Sequence, residues 1–414
     1  MKQNYEEKFL TNIKNTNFQV LSKIHQDFFK AVALEYKFSF QELKQLIDFA
    51  LDFKMWNEKD IKEIFKEEYS SKKEAFNHIR DIWTQLKAKP NTYNSFDKSS
   101  YSDVRKISFE KLEKPTLSLG ACPVASPNTR CCNLLTLDSV ESCGFDCSYC
   151  SIQSFYNQNK VAFDVNFAQK LKNLKLDPNE TYHIGTGQSS DSLMWGNREG
   201  ILDALFDFAR TNPNVILEFK TKSHNISYFL ENEVPKNIIC SWSLNTPVII
   251  ENEEHLTAKL DQRIEAARKL ADKGVLVGFH FHPIVQYENY LDDYKKVYDT
   301  LIDTFDSSEV VFISLGTLTF IKPVIQKLRS RDFKSKILQM PFEDANGKQS
   351  YPLEIKKEMF SHAYESFKAW HKKVYFYLCM EDHSLWKEVF GYEYISNNQM
   401  EDMMKMAYTN KINN

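Results

Sequence analysis

Residues 133–150 read NLLTLDSVESCGFDCSYC. The apolar run from Asn133 to Val140 reads as a buried parallel strand. The second half places Cys143, Cys147 and Cys150 at C-x3-C-x2-C spacing on the loop leaving that strand. Three thiolates so spaced can wrap three irons of a [4Fe–4S] cube and leave the fourth iron open to a small molecule. Loops at the carboxyl ends of barrel strands are where active sites sit. The plainer alternatives are a zinc knuckle or a group of buried thiols. Zinc sites normally take four ligands, usually as two pairs, and no second C-x2-C follows downstream.

Beyond the cysteines, five more apolar runs alternate with helical segments: Thr181 to Gly187, Val215 to Thr221, Ile238 to Leu244, Val275 to Ile284 and Glu309 to Gly316. The crossovers are mostly long enough for a helix and a loop, and Ile201, Leu202, Leu205, Phe206 and Ala209 mark one face of a helix over Arg198–Arg210. Six such units predict an α/β fold with a parallel sheet, and the cysteine loop after the first strand favours a partial (β/α)6 TIM-type barrel over a doubly wound sheet.

Residues 1–88 read as a helical N-terminal region. Ser39 and Glu42 form a capping-box pattern ahead of an apolar face at Phe40, Leu43, Leu46, Ile47, Ala50 and Leu51, and Ser71 with Glu74 repeats the signal. Residues 89–114, rich in Asn, Ser and Lys with Pro90 near the start, are the expected linker; 115–320 are the expected barrel and 321–414 a largely helical C-terminal extension. That extension opens on a basic run from Ile321 to Ile337, either a solvated face or a local nucleic-acid contact, and includes a short strand-like stretch, Val374 to Cys379.

The chain has 414 residues, 42% hydrophobic and 14% aromatic, enough for a sizeable core. A net charge of −3 excludes a global attraction to nucleic acid, so any such site must be a local patch. No run approaches the length of a membrane helix, and the start MKQNYEEKFL lacks a basic stretch followed by an apolar core. Eight scattered cysteines suit a reducing compartment, so a cytoplasmic protein without a membrane partner is expected.

The strand ends carry polar groups suited to an amino-acid ligand. The second run ends in Gly185 to Asp191, with Gln188 and Ser190; the third in Lys220 to Ser223; the fourth in Ser241 to Pro247, with Ser243 and Asn245. An amino-acid ligand needs a cation for its carboxylate, and Lys222 is the first choice. Asp191, Ser223 and Thr246 could equally be helix caps. His280 and His282 share one side of the fifth run and are substrate-side candidates.

The cysteine triplet with Tyr149 before its third cysteine resembles the radical S-adenosylmethionine (SAM) superfamily, which implies that the methionine end of SAM is the amino-acid ligand of Lys222. The series GTGQSSDSL, FKTKSHN, CSWSLNTP, RIEAARKLADKG, VGFHFHPI and FISLGTLTF, in that order over about Leu117 to Lys322, resembles the spore photoproduct lyase family within it, as do FQELKQLIDFALDFKMW and YLCMEDHSLWKEVFG near the ends. The resemblance implies a [4Fe–4S] cluster on Cys143, Cys147 and Cys150, SAM on its open iron, Tyr149 near the adenine, and Ser190, Lys222 and Ser243 at the methionine end. It implies a 5′-deoxyadenosyl radical made with an electron from an external donor such as flavodoxin or ferredoxin, and a thymine dimer lesion in DNA as substrate.

Two positions depart from the family pattern. Where a cysteine returns a hydrogen atom to the substrate radical this chain has Gln188, and where a tyrosine follows the third cluster cysteine it has Ser151. The chain therefore resembles a lyase-like member without the usual cysteine donor. Cys131, Cys132 and Cys240 are the candidate replacements, with Cys240 equally readable as an inert core thiol. Cys122 with Cys131 and Cys132 could also hold an auxiliary cluster, although no fourth ligand is evident. The competing readings are a radical SAM enzyme acting on RNA or a peptide, and a nucleic-acid-binding protein whose cluster is structural or redox-sensing.

Overall fold

The computed structural model describes residues 5–94, 96, 106–122, 128–156 and 159–413. Eight strands form the main sheet: β1 (Leu119–Ala121), β2 (Leu135–Leu137), β3 (Tyr182–Thr186), β4 (Val215–Thr221), β5 (Ile238–Ser243), β6 (Leu276–Ile284), β7 (Val310–Thr317) and β8 (Tyr375–Leu378). They lie side by side in chain order. Neighbours from β2 to β8 are parallel, and β1 pairs antiparallel with β2. The fold is a partial TIM-type barrel.

Residues of opposite character alternate along the strands, which sorts them between the two faces of the sheet. On β5, Cys240 and Trp242 belong to the apolar layer under the helices, while Ser241 and Ser243 face the barrel interior. The helices that matter below are α1 (Phe40–Trp56), α2 (Lys72–Ala88), α3 (Ile201–Thr211), α4 (Leu260–Asp272), α5 (Tyr290–Thr304), α6 (Lys322–Arg329), α7 (Leu353–Ser366) and α8 (Asn397–Asn413). On α3 the expected face is buried, and Phe206 meets Phe219 of β4 edge to face at 6.3 Å. Its first turn is not α-helical: Glu199 at φ 56 delays the helix until Ile201.

Three local readings change. The run Asn133 to Val140 is not one strand. Asn133 sits at φ 52, pairing in the main sheet ends at Leu137, and Val140–Glu141 turns away to join a small sheet with Lys160–Asp164. The stretch near Val374 becomes β8, a seventh parallel strand against β7.

The basic run after Ile321 is not a free charged face either. Its helix ends at Arg329, whose guanidinium is ion-paired with Asp48 and the fully buried Asp52 of α1. Arg331 is paired with Asp146, and Lys336 with Glu58. Lys322 and Lys327 remain exposed.

Of the expected linker, residue 95 and residues 97–105 lie outside the described residues, as do Pro123 and Pro127. The part before them is held in place. Asn91 Nδ2 donates to the carbonyl oxygens of Lys336 and Gln339, and the Tyr93 hydroxyl donates to Glu253 at 2.8 Å. The capping box at α1 is present, with Ser39 N–H donating to Glu42 at 2.7 Å. Among the described residues no helix is long and apolar enough to cross a membrane.

The sheet edges β1 and β8 do not pair with each other. The segment after β8 closes on the loop between β1 and β2 instead: Thr129 bridges Asp382, and His383 N–H donates to the Asn128 carbonyl at 2.9 Å. Arg130 pairs with Glu393, and Asn397 and Glu401 of α8 accept from Cys131 N–H and Asn133. The C-terminal extension thus seals the seam of an otherwise open barrel.

Candidate active site

The cysteine loop is pinned from below by two successive buried glutamates. Asp146–Cys147 pairs antiparallel with Glu254–His255, and Ser148 N–H donates to the Glu253 carbonyl at 2.8 Å. The Ser148 hydroxyl donates to the Glu253 carboxylate and the Tyr149 hydroxyl to that of Glu254. Glu254 is in turn ion-paired at 2.7 Å with Arg263 of α4, both side chains being fully buried. Arg331 holds Asp146 at 2.6 Å from the side. A Cβ on Gly144 would fall 2.3 Å from Met194 and 2.8 Å from Trp195, so only glycine lets the loop pack this closely.

Above the loop lies a cavity of about 320 Å³ lined by Cys143, Cys147, Cys150 and Tyr149, and by Gln188, Ser190, Lys222 and Ser243 from three strand ends. The Lys222 ammonium donates to the Ser243 hydroxyl at 2.9 Å and lies 5.7 Å from the centre of the Tyr149 ring. Ser190 accepts from the Trp195 indole at 3.0 Å. Gln188 and Ser151 are both exposed to the cavity. Asp191 acts as a clamp: it accepts from Thr221 and from the backbone N–H groups of Lys222, Leu193 and Met194. Gly187 takes φ +77, where a Cβ would lie 2.5 Å from the Ser192 hydroxyl.

Asn245 and Cys240 are not on this wall. Asn245 is completely buried beneath it, donating to Glu254 and to the Pro283 carbonyl and accepting from Tyr294. It braces Glu254, and so Tyr149, rather than facing a ligand. Cys240 faces the helix layer because Ser241 and Ser243 take the interior side of β5, and burial holds its thiol pKa well up.

Seven of the eight cysteines line the one cavity, Cys240 being the exception. The four outside the triplet, Cys122, Cys131, Cys132 and Cys379, come from the two margins of the seam. A hydrogen bond from Cys132 brings the Cys131 thiol down to about 6, while burial pushes Cys379 up to about 12. Cys379 stands in a stretch that resembles the family, though the resemblance assigns it no role, and it follows a strand that only pairing with β7 makes part of the barrel. The interior also holds a polar floor, where the fully buried Glu218 accepts from His183 at 2.9 Å, His280 at 2.8 Å and Ser241 at 2.6 Å. His282 lines the same cavity.

The residues present fit an iron–sulfur cluster in donor type and placement: three thiols on one tightly packed loop open into one cavity. No three Cys, His, Asp or Glu side chains among the described residues converge on a point as a closed ion site. Burial raises the Cys147 thiol pKa, and the nearby Lys222 opposes that rise. Lys222, Ser243 and Ser190 supply a cation and hydroxyls beside the triplet, a set suited to an amino-acid carboxylate.

A profile described as spore photoproduct lyase matches residues 132–361, more than half of the chain. The chain belongs to the spore photoproduct lyase family. A spore photoproduct lyase of Clostridium acetobutylicum is 28% identical over 182 residues, 42% of this chain and 54% of that protein. One of Geobacillus sp. is 25% identical over 203 residues, 47% of this chain and 59% of that protein. The matched part thus spans between half and three fifths of these relatives. Among solved structures, a spore photoproduct lyase complexed with dinucleoside spore photoproduct aligns with a TM-score of 0.56 at 20% identity, covering 65% of this chain and 82% of that one. A variant of that enzyme with bound AdoMet and dinucleoside spore photoproduct aligns with a TM-score of 0.53 at the same identity and coverage. At this identity the likeness concerns the fold.

Proposed function

We propose that this chain is a radical SAM carbon–carbon lyase that repairs a thymine dimer lesion in DNA. The observation that carries the reading is the joint placement of the triplet, Tyr149, Lys222 and Ser243 on one cavity of a partial barrel. Family membership and the ligands named for the aligned structures support it. Cys143, Cys147 and Cys150 would hold a [4Fe–4S] cluster. Cluster and SAM together supply a 5′-deoxyadenosyl radical, using an electron from a donor such as flavodoxin or ferredoxin.

The chain's own residues orient and shield. Lys222 and Ser243 take the carboxylate of SAM, Ser190 stands beside them, and Tyr149, fixed by Glu254, offers a ring face near the adenine. Leu134, Phe145 and Ile152 keep the walls apolar, which excludes water from reactive species. Hydrogen return falls to a cavity thiol, because Gln188 carries no weak S–H bond and Cys240 lies outside the cavity. The lesion must leave the helix to enter, and damaged base pairs are the least costly to open.

The test is anaerobic. Cluster-reconstituted protein receives SAM, a reductant and an oligonucleotide carrying the spore photoproduct, with thymine repair and 5′-deoxyadenosine followed by mass spectrometry. Repair with 5′-deoxyadenosine supports the reading. If 5′-deoxyadenosine forms without repair, the substrate moves to RNA or a peptide; an intact cluster that never cleaves SAM leaves a nucleic-acid-binding protein.

A further inference from the structure

Lys220 projects from β4 between Glu218 and Lys222, on the side that faces the cavity. Its ammonium makes no hydrogen bond or ion pair with the described residues. The carboxylates on the cavity wall are Asp191 and Glu218, and both are already engaged. Asp191 accepts from Thr221 and three backbone N–H groups, and Glu218 from His183, His280 and Ser241. The neighbouring Cys379 is kept as a neutral thiol by burial, so it offers no thiolate. Burial in turn holds the Lys220 pKa below its usual value.

Lys220 is half-buried and opens onto the cavity, and an ammonium carries three donors and no acceptor, so a ligand with acceptor atoms is the partner it suits. Two ligands share this cavity in the proposed function. The carboxylate of SAM falls to Lys222 and Ser243 beside the triplet. Two residues back along the strand is about 7 Å, so Lys220 serves whatever lies deeper in the barrel, which is the substrate. There a base goes in first, and its inward-facing acceptors are ring carbonyls. Thymine and uracil carry O4 where cytosine carries an amino group. A donor-only side chain therefore accepts the first two and opposes the third.

We propose that Lys220 is a specificity-determining residue that donates to the C4 carbonyl of the substrate pyrimidine and selects pyrimidine-diones over 4-aminopyrimidines. The proposal rests on the functional reading above. Its test is equilibrium binding to the cluster-loaded protein, without turnover, of the dithymidine photoproduct and of its analogue with one 5-methylcytosine ring. SAM binding is measured alongside, and isotope-edited infrared spectra report the C4=O stretch of the bound dithymidine compound.

The wild type should prefer the dithymidine compound by ten- to hundredfold and lower its carbonyl stretch. Lys220→Met should lose most of the preference and the shift while keeping SAM affinity, and Lys220→Arg should retain both in part. Equal binding of the two compounds by the wild type overturns the proposal. So does a Lys220→Met variant that loses SAM affinity but keeps the preference, which would make Lys220 a second carboxylate ligand. Failure of the wild type to bind either compound would remove the functional reading, and this proposal with it.

Discussion

Lys222 and Ser243 stand on neighbouring strands, and the ammonium of one donates to the hydroxyl of the other at 2.9 Å. The backbone N–H of Lys222 is held by Asp191 at 2.7 Å, so the lysine is positioned before any ligand arrives. Lys222→Ala should weaken SAM binding about 10- to 100-fold, the worth of a charge-assisted hydrogen bond. Iron content and thermal stability should stay near wild type. Calorimetric titration with SAM decides it, and unchanged affinity would remove Lys222 from the site.

The cavity thiols should differ sharply in reactivity. Cys131, lowered to about 6, is mostly thiolate at pH 7, whereas Cys379 at about 12 keeps its hydrogen. Thiolate is the nucleophile, so brief iodoacetamide treatment at pH 7 before cluster loading should mark Cys131 ahead of Cys379 and Cys240 in a peptide mass map. A hydrogen-atom donor needs the opposite property, an intact S–H. In deuterated water, Cys379→Ala should lose deuterium from the repaired product while still forming 5′-deoxyadenosine, and Cys240→Ala should retain it.

Arg263 and Glu254 form a buried ion pair beneath Tyr149. Removing one member of such a pair leaves a buried charge, at a cost of roughly 3–5 kcal/mol. Arg263→Met should therefore lower the denaturation midpoint strongly and loosen the cysteine loop, seen as lower iron content per protein after reconstitution. A midpoint equal to wild type would show that Glu254 finds another partner.

Acid should weaken the fold through the interior histidines. Burial first, and Lys220 second, lower His280 to about 4 and His282 to about 3, against about 6.5 when unfolded. Because the folded values lie below the unfolded one, this contribution is whole above pH 6.5 and is lost as pH falls toward 4. The unfolded chain takes up as many as two extra protons in that window, so stability should decline with a slope of up to about 3 kcal/mol per pH unit near pH 5. Urea unfolding at pH 7.5, 6 and 5 measures the slope, and His282→Asn should reduce it by about one proton.

The basic run makes a split prediction. Reversing the exposed Lys322 and Lys327 should leave stability within about 0.5 kcal/mol and test DNA contact through the salt dependence of binding. Arg329→Glu should instead destabilise the protein by several kcal/mol, because it places a carboxylate against the buried Asp52. A single effect shared by all three positions would contradict the division between surface and structural charges.

The triplet, Tyr149, Lys222 and Ser243 were legible because each lies at or just beyond the carboxyl end of an apolar run, and in a parallel sheet all such ends fall on one side. Asn245 and Cys240 went elsewhere for different reasons. Cys240 is out of phase with Ser241 and Ser243 along β5 and falls to the helix layer, whereas Asn245, in phase with Ser243, lies beyond the strand's end and turns beneath the wall to Glu254 and the Pro283 carbonyl. The basic run misled for a related reason: charge composition does not reveal that Asp48, Asp52 and Asp146 wait opposite it.

By itself, then, the sequence determined the order of the strands, the class of fold and the loop that carries the cysteines, since local periodicity and short spacings encode these. Only the tertiary structure decided which polar groups share a space. Cys122, Cys131, Cys132 and Cys379 meet because the segment after β8 closes on the loop after β1, more than 240 residues earlier. Among the described residues Lys220 is left without a hydrogen-bond partner, and His183, His280 and Asp191's neighbours claim the two carboxylates within the cavity. Such long-range competition for a limited number of acceptors exists only once the chain has folded.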